Sequence, residues 1–427
     1  MLTSLIAWVA MVGTVPAEPA PVFQAHPACC AQDWRADLPP YVQEIVARVD
    51  HQDEAAAKQT QDEEAKKVAR HQADLKADIE MGRKYADEIA KDPKMKVSTN
   101  AEMIARVQRI GAEFAQIANE NQVEVSWGDP RLNPFQYEFR VLQGDDVNAF
   151  SIPGGFIYFY EGLLKYAESD DELAGVMAHE IGHAAFRHIA TLRREASKLD
   201  VIQIPLILVA ILTGGATAQG VLIGGSLLGT ALTSGWSVKA EQSADFGAFQ
   251  YMRKSKYNPV GILTLMERLA YDERSRPLPF ELGIYRTHPP SRERAQAIAR
   301  RLADAGIPIR RSLVTQTLKS QIKPGDEGTV DLWFANIKVV SFAGTEALAR
   351  ADAAAVNLDA FMDGIPKIFE IASDGSIIEG KGKELFMITE DDATASKSKV
   401  TAVVDDVIKN LKRVAYDVSY RVWDAQF

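Results

Sequence analysis

His179-Glu180-Ile181-Gly182-His183 sets two imidazoles four residues apart, with an acid beside the first. On an α-helix that spacing leaves the rings about 40° apart around the axis and one turn along it, so both reach a single ion and Glu180 borders the same cleft. The pattern matches helices that hold a zinc ion between two histidines and present a glutamate as general base. The flanking residues agree with a helix. Ser169 offers a cap, Asp170, Asp171 and Glu172 suit the positive end of the dipole, and Leu173, Val176, Met177 and Ile181 follow at helical spacing. Gly182 costs about 1 kcal/mol relative to alanine inside a helix, which fits a place where another backbone or a ligand comes close. His188 falls roughly 140° further round a continued helix than His183, and is read as a surface or packing residue that cannot join the pair.

A hydrolytic zinc site takes three protein ligands and keeps one position for water, so one more acid or histidine is expected. Glu241 is the candidate. It opens Glu241-Gln242-Ser243-Ala244-Asp245, which on a helix puts two carboxylates on one face, one for the metal and one behind it. By spacing alone such a pair equally describes a solvated helix face.

Taken in order, the His-Glu-Ile-Gly-His motif, the Glu241 to Asp245 motif and Thr287-His288-Pro289-Pro290 resemble the HtpX/BepA/Oma and CAAX-prenyl-protease family of gluzincin metallopeptidases. Asn148-Ala149-Phe150-Ser151-Ile152-Pro153-Gly154-Gly155-Phe156-Ile157-Tyr158 is similar to the strand before the zinc helix in that family. The likeness also takes in Glu80-Met81-Gly82, and so covers roughly residues 75 to 305. It implies a zinc endopeptidase with one Zn2+ per chain, ligands His179, His183 and Glu241, and Glu180 as the base. It also implies that Asp245 accepts a hydrogen bond from a ligand histidine. His288 would lie near the cleft, stabilising an oxyanion or capping the open position, or is an ordinary loop histidine beside a Pro-Pro turn. Arg294 matches the family's arginine after His-Pro-Pro. It is counted with the substrate-binding candidates, pairs with an acid near the site, or is an exposed helix charge. The chemistry suits these roles: two neutral imidazoles and one carboxylate leave net positive charge on the ion, which lowers the pKa of bound water to about 7. Glu180 then takes a proton from that water and later gives it to the leaving amine.

Substrate is expected to be held by its backbone. Residues 147 to 160 are rich in β-branched and aromatic types, and Pro153 cannot donate a ladder hydrogen bond, which favours an edge strand. An edge beside the metal binds an extended peptide as an added strand, making Asn148, Ala149 and Phe150 the candidate substrate contacts.

At 427 residues, with 47% hydrophobic and 25% charged content, the chain should fold into more than one globular domain. A net charge of −10 without a basic patch argues against nucleic acid and anionic membrane surfaces as main partners. Leu2 to Val15 is a short apolar run followed by Pro16-Ala17, read as a secretory signal over residues 1–17, although no Lys or Arg precedes it and an uncleaved anchor stays open. The only cysteines, Cys29 and Cys30, are adjacent, so no internal disulfide framework forms; free thiols or intermolecular pairing are the plain options, with lipid attachment at Cys29 a further one.

The expected fold class is α+β. A Pro-rich linker spans 18–40 and a long charged helix 41–95, followed by a mostly helical gluzincin-type metallopeptidase domain with a small sheet over 96–306. Within that domain residues 100–120 read as an amphipathic helix and 122–160 as strands. Residues 307–427 form a separate α+β module, with strand-like runs in Gly328 to Ser341 and Lys367 to Thr389 and helices at Thr345 to Ala355 and Val400 to Val414. Val201 to Val238 is uncharged throughout and is broken by Pro205, the pair Gly214-Gly215 and the further glycines Gly220, Gly224, Gly225, Gly229 and Gly235. It reads as a buried helical hairpin, with membrane insertion, or a peripheral contact with the membrane or outer-membrane assembly, as the alternatives.

These features give an exported zinc endopeptidase acting on envelope polypeptides, in the periplasm or membrane-associated, with a role in protein quality control if the family's carries over. The competing reading is a chaperone-like or binding protein that uses the same cleft without turnover. A CAAX-type membrane enzyme is a third, weakened by the lack of several unambiguous spans. Oligomeric state is not legible.

Overall fold

The computed structural model describes residues 38–197, 236–275 and 292–418. The expectations for 1–17, for nearly all of 18–40 and 201–238, and for His288 lie outside them. The chain divides into two compact units, residues 1–70 and 71–427. Helix α1, Pro40–Lys91, begins in the first and ends in the second. It follows Pro39, stops before Pro93, and carries exposed (i,i+3) and (i,i+4) pairs such as Glu63–Lys66 and Glu44–Arg48.

The second unit opens with the end of α1 and with α2, Ala101–Glu120, whose cap Asn100 accepts a hydrogen bond from the Met103 N–H. Strands β1 (Glu138–Leu142), β2 (Ala149–Ile152) and β3 (Phe156–Tyr160) form a sheet in the order β1-β3-β2. β3 runs parallel to β1 and antiparallel to β2. The central strand reads Phe-Ile-Tyr-Phe-Tyr and is buried through its first four residues, as a strand covered on both faces requires.

Two sequence expectations change here. Residues 147 to 160 are a hairpin, not one strand, with Pro153, Gly154 and Gly155 in the turn and both glycines at positive φ. Pro153 therefore marks the reversal and β2 is the edge. Residues 122–137 contain no strand. Their backbone groups are taken by helix side chains instead: Asn119 brackets Phe135, Gln250 brackets Glu124, and Ser243 brackets Trp127.

The chain continues through α3 (Glu161–Tyr166), α4 (Asp170–Ala185), α5 (His188–Ser197), α6 (Trp236–Met252), α7 (Val260–Ser275) and α8 (Arg292–Asp304). One apolar core joins α2, the inner sheet face, α4, α6, α7 and α8 through Phe114, Phe159, Met177, Ile181, Met252 and Ile298. The other sheet face, through Phe150 and Tyr158, packs on Tyr85 and Ile89 of α1. Among the described residues no helix is long and apolar enough to cross a membrane.

Residues from 318 on have a core of their own. The pattern of three antiparallel strands followed by helix occurs twice. The first pass is β4 (Gln321–Pro324), β5 (Val330–Phe334), β6 (Ile337–Phe342) and α9 (Ala347–Asp363). The second is β7 (Ile371–Asp374), β8 (Ile377–Gly380), β9 (Lys383–Met387), the short α10 (Glu390–Ala395) and α11 (Val400–Val418). An α+β fold is thus observed, with its strands in small separate sheets.

Candidate metal centre

Ser169 caps α4 as expected, its hydroxyl accepting the Glu172 N–H at 3.1 Å. The helix is buried along most of its length because α2, α6, α7 and the sheet all pack against it. Gly182 has the anticipated cause: a Cβ there would sit 3.3 Å from the Ala244 carbonyl oxygen, so the bare backbone lets α6 pass close by. That approach carries Glu241 to the two histidines.

The Nε2 atoms of His179 and His183 lie 3.0 Å apart, and each is 3.4 Å from a Glu241 carboxylate oxygen. Bonds of about 2.0–2.1 Å to a tetrahedral zinc imply ligand atoms about 3.3 Å apart, so the spacing and the N,N,O donor set both fit zinc. Among the described residues these three form a group able to hold a metal ion. Glu180, only 1% exposed, lies on the same turn.

Asp245, one turn beyond Glu241, sits with Oδ1 2.9 Å from His179 Nδ1. Its carboxylate takes two hydrogen bonds from Arg294 at the start of α8, Nε to Oδ2 at 2.7 Å and Nη2 to Oδ1 at 2.8 Å, while Arg294 Nη1 reaches Glu241 Oε2 at 3.0 Å. All three side chains are buried. Burial alone pushes the Asp245 carboxyl up, but the Arg294 charge and its hydrogen bonds override it and hold the group well below the usual carboxylate range. Burial likewise disfavours charge on His179, and the bonds from Asp245 and Glu241 outweigh it, raising that pKa. Of the alternatives left open for Arg294, the geometry realises pairing with the acids.

His188 is not where a continued helix would place it. The helix stops at Ala185, Arg187 takes a left-handed φ of 52°, and α5 starts afresh at His188. The turn brings the His188 ring back under the site, 1% exposed, with Nδ1 2.9 Å from His183 Nδ1 and Nε2 2.9 Å from the Trp127 carbonyl oxygen. Burial, then the neighbouring His183, drives its pKa well below the ordinary histidine value. His188 therefore stays outside the metal-holding group, as expected, but it is buried rather than on the surface and touches His183 directly, which the continued-helix geometry had excluded. A left-handed non-glycine residue costs about 1–2 kcal/mol. It is held here by Arg187 Nε on Asp78 at 2.6 Å and Nη1 on Asp129 at 2.9 Å, both buried. No glycine, asparagine or proline marks this stop in the sequence, so the sequence carried no signal of it.

Of the substrate candidates, Asn148 is half-buried and Ala149 and Phe150 are buried, with Phe150 stacked on Tyr158 at 4.9 Å. What these residues can offer a substrate is backbone. The Tyr160 N–H donates to the Asn148 carbonyl, so alternation along the antiparallel pair turns the N–H and C=O groups of Ala149 and Ser151 away from β3, toward the outer edge.

The chain is similar to known metallopeptidases. Residues 100–302 match the model of Peptidase family M48. The metalloprotease LoiP of Escherichia coli is 28% identical over 176 residues, 41% of this chain and 67% of LoiP. The beta-barrel assembly-enhancing protease of Yersinia pestis is 31% identical over 180 residues, 40% of this chain and 34% of the relative. The mitochondrial metalloendopeptidase OMA1 of Schizosaccharomyces pombe is 28% identical over 176 residues, 41% of this chain and 50% of the relative. The alignments thus span from about a third to two thirds of these relatives' lengths.

Proposed function

We propose, from the match of residues 100–302 to the model of Peptidase family M48, that this protein is a zinc-dependent endopeptidase cutting polypeptides of a bacterial envelope, misfolded or misassembled ones among them. The convergence of His179, His183 and Glu241 at zinc-ligand spacing, with Glu180 on the same turn, carries the reading. Zinc held there supplies Lewis acidity, which acidifies water and polarises a peptide carbonyl. The protein's own groups do the rest. The Glu180 carboxylate receives a proton from the attacking water and returns it to the departing amine. Asp245 holds His179 in the tautomer that turns Nε2 to the metal, and Arg294 holds Asp245 and Glu241 in place. The outer edge of β2 takes an extended substrate backbone as an added strand, through Ala149 and Ser151. His288 is kept as the oxyanion donor on motif order alone.

An envelope location rests on the apolar leader read at residues 1–17 and on relatives named for beta-barrel assembly. A glutamate on a second helix as third ligand supports the gluzincin reading.

Zinc content and casein cleavage, measured on wild type and Glu180→Gln, test the proposal. The variant should keep its zinc and its melting temperature while cleavage falls by about 10²–10⁴-fold, and a chelator should silence the wild type. Cleavage by Glu180→Gln at the wild-type rate would sink the mechanism. Client binding without cutting by either form would instead identify a binding protein.

A further inference from the structure

We propose that His188 is a positioning residue of the metal centre, fixing the tautomer and orientation of His183 through a relay that ends on the Trp127 carbonyl. The inference rests on the zinc reading above. His183 must turn the lone pair of Nε2 toward the metal, so in its neutral form the ring proton sits on Nδ1. The atom facing that proton, 2.9 Å away, is Nδ1 of His188, which must then be an acceptor. Neutral His188 consequently carries its own proton on Nε2, and Nε2 lies 2.9 Å from a carbonyl oxygen, a group that can only accept. Every donor meets an acceptor, and the chain of bonds has one consistent direction, from His183 to His188 to Trp127.

The end of the relay is anchored on the helix that supplies the third ligand. Ser243, two residues after Glu241, donates its hydroxyl to the same Trp127 carbonyl at 2.8 Å and accepts the Trp127 N–H at 3.1 Å. The two ligand histidines are thus oriented by different chemistry. His179 faces a carboxylate locked by an arginine, and His183 faces an uncharged imidazole locked by a peptide group. A second acid behind His183 would add buried negative charge to a site that already holds Glu180, Glu241 and Asp245. A neutral relay orients the ring without that cost.

Two substitutions split the relay. In His188→Asn the amide oxygen can occupy the place of Nδ1 and accept from His183, but the side chain is too short to reach Trp127. In His188→Gln the terminal amide takes the place of Nε2 and can donate to Trp127, leaving no acceptor for His183. Zinc affinity is read by competition with a chromogenic chelator, and the melting temperature of the metal-free protein reports any purely structural damage. We expect His188→Asn to stay within about threefold of wild type and His188→Gln to bind zinc about 10–100-fold more weakly, at similar metal-free melting temperatures. Equal zinc affinity in the two variants, or a loss that follows the metal-free melting temperature, would overturn the positioning role. Wild-type protein that takes up no zinc would overturn the metal reading itself, and this inference with it.

Discussion

The two apolar cores of this chain treat charge differently. The core around α4 surrounds Glu172, His179, Glu180, His188, Glu241, Asp245, Arg268 and Arg294, all buried. The C-terminal core built on β4 to β9 and α9 to α11 buries only two charged residues among those described, Asp331 and Asp392. Both have local duties. Asp392 closes the capping box of α10 and binds Arg350 at 2.5 Å, and Asp331 takes the Ser341 hydroxyl at 2.6 Å. Taking charge out of water costs several kcal/mol per ion unless partners compensate. The first core accepts that cost repeatedly and compensates it within two groups, Arg294 with Asp245 and Glu241, and Arg268 with Glu168 and Glu172. The second needs few buried ions, because its core is built almost wholly from apolar side chains.

The largest effect should come from breaking the Arg294 group at its hub. Arg294→Met leaves Asp245 and Glu241 buried without their cation, and we expect a loss of about 3–5 kcal/mol in unfolding free energy, read by urea titration. Zinc affinity should fall as well, because both acids lose their orientation. A variant with unchanged stability and unchanged zinc affinity would show that the arginine does not hold these acids in place.

Much of this core was legible in the residues, and what escaped has a physical cause. The α4 cap at Ser169, the two histidines one turn apart, and the need for a close neighbour at Gly182 depend on helix geometry, which is local. Pairing Glu241 with the histidines required two segments to meet, and order of motifs rather than spacing pointed to it. The His183–His188 contact required a left-handed turn at Arg187, stabilised by Asp78 and Asp129 from distant parts of the chain. Trp127 was invisible because its contribution is a carbonyl, which every residue has. In the C-terminal module two strand runs and the helices α9 and α11 were readable from periodicity, whereas β4, the short α10 and the recurrence of three strands and a helix emerge only in the structure.

A cavity in the second core tests the other half of the contrast. Leu411 on α11 is 0% exposed, and Leu411→Ala should cost about 3 kcal/mol through lost burial and the void left behind. Zinc affinity of the folded protein and casein cleavage at 25 °C should stay at wild-type values. Loss of zinc binding in this variant would mean that the two cores are coupled. Contacts that could carry such coupling exist. Glu168, just before α4, accepts the N–H groups of Gln316 and Thr317 and the hydroxyls of Thr315 and Thr317, and Arg311 pairs with Glu267 of α7 through two bonds of 2.7 Å.

The smallest effect concerns Glu172, on the first turn of the zinc-ligand helix and 0% exposed. Burial pushes its carboxyl up to about 7, although Arg268 lies 2.6 Å away and the Glu168 N–H donates to it at 2.9 Å. Between the unfolded value of about 4.5 and that folded value, the native state holds a proton that the unfolded chain has released. The contribution is therefore fully present below about pH 4.5 and is lost as pH rises toward 7. Glu172→Gln keeps the uncharged form at every pH. The wild type should lose on the order of 2–3 kcal/mol of stability relative to this variant between those limits, and the difference should level off above them. Urea titrations of both proteins at pH 5, 6, 7 and 8 read it directly, and parallel curves across that range would mean that Arg268 keeps Glu172 ionised throughout. In that event Glu172 would join Asp245 as a buried carboxylate held charged by an arginine, about two turns of α4 before the first metal-ligand histidine.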